Sequence, residues 1–135
     1  MLRTLLVILS LGITTTAWPG ELISDPDSVR GIFSGKTAYG KHLKKNKPGH
    51  NVYFAPDGTS KRFTEAGEHQ TGKWHVNDQA QQCIEWDHNA GVRYCRAVMA
   101  GFADDVYFRI KQKGNKRIKV FKYNDFRDGD QVSKP

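Results

Sequence analysis

Between Lys36 and Tyr123 apolar and polar positions alternate in short stretches, each closed by a turn signal. Successive side chains on a strand point to opposite faces. Lys36 to Gly40 reads as a short strand. Asn51 to Ala55 puts Val52 and Phe54 on one face and Tyr53 on the other. Pro56-Asp57-Gly58-Thr59 is a strong turn signal; Ser60 to Ala66 returns and Gly67 to Gln70 turns again. Thr71 to Asn77 sets Trp74 and Val76 against Lys73, His75 and Asn77. Asp105 to Lys111 places Val106, Phe108 and Ile110 inward, with Tyr107, Arg109 and Lys111 outward. After a tight turn at Lys113-Gly114-Asn115, Lys116 to Tyr123 places Ile118 and Val120 inward and Arg117, Lys119 and Phe121 outward.

The two cysteines fix the register of the hairpin between these blocks. Cys83 and Cys95 lie twelve positions apart. If they face each other on antiparallel strands, opposed residue numbers sum to 178. That pairs Ile84 with Tyr94, Glu85 with Arg93, Trp86 with Val92 and Asp87 with Gly91. Apolar then meets apolar and acid meets base. His88-Asn89-Ala90 forms the loop, with Gly91 free to take positive φ. Ile84, Trp86, Val92 and Tyr94 share the face expected to carry the core. A disulfide across so short a loop contributes about 3 kcal/mol by loop entropy.

One segment has helical spacing. Asp25 is a cap, Pro26 suits the first helical position, and Asp27 suits the positive end of the dipole. Val29, Ile32 and Phe33 fall on one face and Gly35 ends the helix. A two-turn helix plugging the sheet is expected. Trp18 to Ser24 reads as a loose leader, and Asn124 to Pro135 as a polar, frayed tail. Together these elements predict a mainly-β fold. It is a single antiparallel meander of about eight strands, curled or lipocalin-like, with one short N-terminal helix. Whether such a sheet closes is left open by the pattern.

The first residues place this fold in a compartment. Arg3, the apolar run Leu5 to Ile13, and small Thr15 and Ala17 form a secretory signal cleaved after Ala17. The run is too short to span a membrane. Residues 1–17 are therefore read as signal and 18–135 as one β-domain of 118 residues. Export to the periplasm or medium suits a disulfide. The formal charge of +7 falls to +6 with Arg3 removed. That suits an anionic envelope component as partner, although such a balance also simply keeps a small exported chain soluble.

Three pieces carry a family likeness: Tyr53-Phe54-Ala55-Pro56-Asp57-Gly58-Thr59, Gly72-Lys73-Trp74-His75-Val76, and Cys83-Ile84-Glu85-Trp86 with Cys95 downstream. In that order they resemble a family of small exported proteobacterial proteins, classed as a domain of unknown function. Its members combine a YxAPDGT-like turn, a GxWxV strand and a cysteine pair on adjacent strands. The resemblance spans Gly35 to Lys122. It implies the fold and the compartment and no activity. The basic loop at Lys41 to Lys47 has no counterpart in the family pattern.

Candidate chemistry is sparse. His42, His50, His69, His75 and His88 lack metal-motif spacing, and no metal or cofactor is expected. Ser60 and Thr64, with Asp57 and Glu65, lack a nucleophile elbow, so no enzyme is expected. Trp74, Trp86, Tyr94 and Phe108 could line a ligand cavity or fill it; for a chain of this size filling is the favoured reading. Tyr39, Tyr53, Tyr107, Phe121 and Tyr123 fall on the opposite parity and would form a partner surface if exposed together. Lys41, Lys44, Lys45 and Lys47 make the most basic stretch, an anion-binding candidate or a solvated loop. The functional expectation is an exported, non-enzymatic binding domain at the envelope. Its alternatives are a carrier of a small apolar ligand and a polyanion binder acting through the basic loop.

Overall fold

The computed structural model describes residues 18–44, 47, 49–64 and 66–132. The signal segment, Met1 to Ala17, lies outside the described residues, as does Lys45. Helix α1 spans Pro26–Phe33. Eight strands follow: β1 Lys36–His42, β2 His50–Phe54, β3 Thr59–Thr64, β4 His69–Val76, β5 Gln81–Trp86, β6 Arg93–Ala100, β7 Tyr107–Lys113 and β8 Lys116–Asp128. Each pairs antiparallel with the next, and β8 returns to β1, closing the barrel. The question of closure left by the sequence is thereby answered.

The closing contact corrects the reading of the C-terminus. β8 continues through Phe126 to Asp128, where a frayed tail was expected. Its second half pairs with β1, from Lys36 opposite Asp128 to Tyr39 opposite Asp125. Beyond it, Thr37 Oγ1 donates to Gly129 O at 2.7 Å and accepts from Gln131 N at 3.0 Å. Buried Val132 anchors the end. The segment is polar because its outer side faces solvent, and its backbone pairing supplies the order. The leader is corrected likewise. Gly20 N donates to Ala100 O and Ile23 N to Val98 O, each at 2.9 Å, so the segment lies along β6.

The helix forms as the sequence indicates. Asp25 Oδ2 accepts from Ser28 N at 3.1 Å, and Ser34 N donates to Arg30 O at 2.8 Å beside Gly35 at φ +77°. Val29 and Phe33 are fully buried. Phe33 meets Phe54 at 5.3 Å and Tyr123 at 5.1 Å between ring centroids, plugging one end of the barrel. Trp74 packs on Phe54 and donates from Nε1 to Ala55 O at 2.8 Å.

The disulfide hairpin has the expected register at Cys83 opposite Cys95, Ile84 opposite Tyr94 and Glu85 opposite Arg93, but the ladder ends there: Trp86 with Val92 and Asp87 with Gly91 do not pair, and Val92 is exposed instead of in the core. A 3-10 turn, Asp87–Asn89, and Gly91 at φ +88° close it.

β7 inverts the expected facing, and β8 departs from it after Val120, since Ile118 and Val120 face the lumen as expected and Phe121 does too. Phe121 opposes Arg109 while Lys119 opposes Ile110, leaving Val120 as an extra residue, a β-bulge. The bulge turns Phe121 and Tyr123 into the barrel, where both are buried. Tyr107 packs against the core as well. An exposed surface of aromatics on that parity is therefore not formed. Tyr39 instead lies under the Arg127 guanidinium, 5.0 Å from its ring centroid. On β7 the inward residues are Arg109, Lys111 and Lys113.

Candidate functional site

The helix and core fill only the α1 end of the barrel. The other end, where the β1–β2, β5–β6 and β7–β8 connections lie, encloses a cavity of about 560 Å³. Its walls follow from strand alternation. β5 contributes Ile84 and Trp86, β6 contributes Tyr94 and Arg96, and β7 contributes Arg109, Lys111 and Lys113. Arg62 enters from β3, His50 and Val52 from β2, and Ile118, Val120, Phe121 and Tyr123 from both sides of the β8 bulge. Lys44, Lys47, His88 and Asn89 stand at the mouth, on two loops.

The cavity is cationic. Seven lining side chains are Lys or Arg, and no lining residue is Asp or Glu. Among the described residues none of the seven makes an ion pair; the salt bridges join Arg30 to Asp27, Lys61 to Asp130 and Arg127 to Asp125, away from the cavity. A charge taken partly out of water with no opposite charge beside it is costly. The arginines are instead held by neutral acceptors and by an aromatic face. Arg109 Nη2 donates to Tyr94 O at 3.1 Å and to Gln82 O at 3.4 Å. Arg96 Nη1 donates to Cys95 O at 3.0 Å. Arg62 Nε donates to Gln70 Oε1, and its guanidinium lies 4.3 Å from the Trp86 ring centroid. Such a contact over an indole is worth about 0.5–2 kcal/mol.

Burial lowers the Arg109 and Arg62 pKa values from the ordinary guanidinium value, and Arg96 adds to the effect at Arg109. His50 responds most plainly. Burial, then Arg62, His42 and Arg109, bring its pKa down to about 3. Its ring sits 5.0 Å from Phe121 and 5.3 Å from His42. His50 is therefore neutral at pH 7 and adds no charge to the lumen.

Behind the lining the packing is polar and incompletely satisfied. Tyr123 OH donates to Gln82 Oε1 at 3.2 Å, and burial raises the tyrosine pKa. Gln82 is fully buried, yet its Nε2 has no hydrogen-bond partner among the described residues; the same is true of Arg109 Nε. Gln82 itself lies behind the lining, against Tyr123, and is not a cavity-lining residue.

The residues singled out from the sequence divide. Trp86 and Tyr94 line the cavity. Trp74 lies in the packed core, and Phe108 lies on the outer wall, 4.3 Å from Lys119 Nζ. Lys44 and Lys47 line the mouth, whereas Lys41 borders an outer groove. Ser60 is buried, and Asp57 holds its turn by accepting from Thr59 N at 2.9 Å. Among the described residues no three His, Cys, Asp or Glu side chains gather as a metal-ligand set. No described helix is long and apolar enough to cross a membrane.

Sequence reasoning missed Arg62, Arg96, Arg109, Lys111 and Lys113. A signal for Arg96 was present: the cysteine register turns Tyr94 inward, and Arg96 shares its parity. Comparison with protein-family models, curated proteins and solved structures finds no match.

Proposed function

We propose that this protein is an exported, non-enzymatic binding domain that takes a small anionic ligand into its barrel. One observation carries the reading: seven cationic side chains and no carboxylate face a single cavity of about 560 Å³. Low-dielectric walls focus the field of those charges and draw anions to the mouth. Inside, an anion would replace mutual repulsion with charge-assisted hydrogen bonds. Ile84, Trp86, Ile118 and Val120 supply apolar contact, so the ligand carries an organic body on its charge. Trp74 and Phe108 lie elsewhere, which weighs against a purely apolar cargo. The disulfide supports an oxidising compartment and so an exported chain.

The test is titration with the fluorescent anion 1-anilinonaphthalene-8-sulfonate, with N-phenyl-1-naphthylamine as the uncharged comparison. Saturable 1:1 binding of the sulfonate, at least tenfold tighter than the amine and weakened by salt, supports the reading. Equal binding of both probes, or binding of neither, overturns it.

A further inference from the structure

The cations of the lumen are sorted by kind and depth. Lysines hold the mouth and the hairpin tip, where Lys44, Lys47 and Lys113 stand. Arginines hold the interior. Arg109 opposes Phe121 on one side and Val98 on the other. Arg96 opposes Gln82 and is two residues before Val98, which makes it a diagonal neighbour of Arg109 on the same face. Arg62 opposes Val52 on one side and Gln70 on the other, reaching the lumen from β3. Three guanidiniums therefore face one space from three strands.

We propose that Arg62, Arg96 and Arg109 form a subsite for the dianionic phosphate of a phosphate monoester, its organic body lying toward the mouth. The inference rests on the anion-binding reading above and narrows it. Guanidinium forks donate in pairs to oxygens. A carboxylate has two oxygens in one plane and serves two forks at most from opposite edges. A tetrahedral phosphate presents three oxygens in three directions, matching donors that come from β3, β6 and β7. Charge points the same way. With no acidic residue lining the cavity, a monoanion would leave two of the three arginines uncompensated, whereas a dianion leaves one. The Arg62 guanidinium lies 4.3 Å from the Trp86 ring centroid and its Nε donates to Gln70 Oε1, so the side chain is held in place from two sides. The mouth lysines act as point charges that gather the anion and need no fixed geometry.

Calorimetric titration of the full mature chain at pH 7.5 with phenyl phosphate, benzenesulfonate and benzoate separates the alternatives, because the three share one ring. Phenyl phosphate is expected to bind at least tenfold more tightly than either monoanion, with inorganic phosphate competing. Arg62→Gln and Arg109→Gln are each expected to weaken phenyl phosphate at least tenfold, while Lys73→Gln on the outer wall leaves it unchanged. If either monoanion binds as tightly as phenyl phosphate, the phosphate assignment falls and the anion-binding lumen stands. If none of the three binds, both fall. Should one arginine variant not fold, the other and the competition by inorganic phosphate decide the matter. Phenyl phosphate binding that both folded variants retain unchanged also overturns the assignment.

Discussion

Arg62 lies with its guanidinium 4.3 Å from the centroid of the Trp86 ring, inside the barrel and away from any carboxylate. The contact ties the charge of the lumen to its one cavity-lining indole. An anion drawn to Arg62 changes the field at that ring. Ligand binding is therefore expected to shift or quench tryptophan emission, and Trp86→Phe should remove most of the change while keeping binding within about fivefold. Emission recorded through a titration checks this; an undiminished signal in Trp86→Phe would place the ligand elsewhere.

Gly72 is what lets Trp86 lie there. It opposes Trp86 across the β4–β5 ladder, and a Cβ at Gly72 would collide with Glu85 O and stand 3.0 Å from Trp86 Cε3 and 3.1 Å from Ser60 Oγ. The backbone carbonyl cannot yield as a side chain tip can. Gly72→Ala is expected to cost about 1–3 kcal/mol, the usual range for overpacking a filled interior. Urea denaturation measures it. Weaker anion binding should accompany the loss, because the indole under Arg62 moves.

Stability should depend on pH through His50. Its folded pKa of about 3 lies below its ordinary value of 6.5, so the unfolded chain binds a proton that the folded chain refuses. Stability then rises with pH wherever the unfolded state holds more protons. The contribution is whole above about pH 6.5 and is lost progressively as pH falls toward 3. The slope from one such proton is at most about 1.4 kcal/mol per pH unit. His50→Gln removes it, so the difference between the two proteins should be flat above pH 6.5 and should grow in favour of the variant below that. Equal slopes for both between pH 4 and 6.5 would refute the assignment.

What could be read from the sequence depended on whether a local marker tied position to facing. The two cysteines did so for β5 and β6, and Asp25-Pro26 did so for α1. Alternation alone misled on β7. Val106, Phe108 and Ile110 look like an inward row because a packed interior is apolar. Here the far half of the interior is a polar cavity, so Arg109, Lys111 and Lys113 take the inward side and the hydrophobic pattern runs in reverse. The β8 bulge at Val120 defeats parity altogether, since Ile118, Val120, Phe121 and Tyr123 all reach the lumen. The cationic site was hidden for the same reason. Its seven cations are scattered over three strands and one loop, and only closure of the barrel brings them to one space.

The disulfide sits on the outer wall of the two strands whose inner faces carry Trp86, Tyr94 and Arg96. Replacing Cys83 and Cys95 together by Ala should lower stability by about 3 kcal/mol, the loop-entropy value, with the five-pair ladder left intact. Thermal melts of the two proteins test the size of the loss. Affinity for an anionic probe, measured well below the melting temperature, is expected to stay within threefold, because no lining side chain is changed.

Arg109 sets function against stability most sharply. Its guanidinium is met by the carbonyls of Tyr94 and Gln82 and by no negative charge, and its Nε has no partner among the described residues. Arg96 lies diagonally across from it, adding repulsion. Replacing an uncompensated, partly buried charge by an apolar side chain of similar length is commonly neutral or stabilising. Arg109→Met is therefore expected to melt at the same temperature as the native chain or a few degrees higher, about 4 °C for each kcal/mol gained in a domain between the small and mid-sized classes. The same variant should lose anion binding at least tenfold. Gain in one measurement with loss in the other is the signature of a charge held for a ligand. A variant that melts well below the native chain would instead make Arg109 a structural residue, fixed for its bonds to the β5 and β6 backbones.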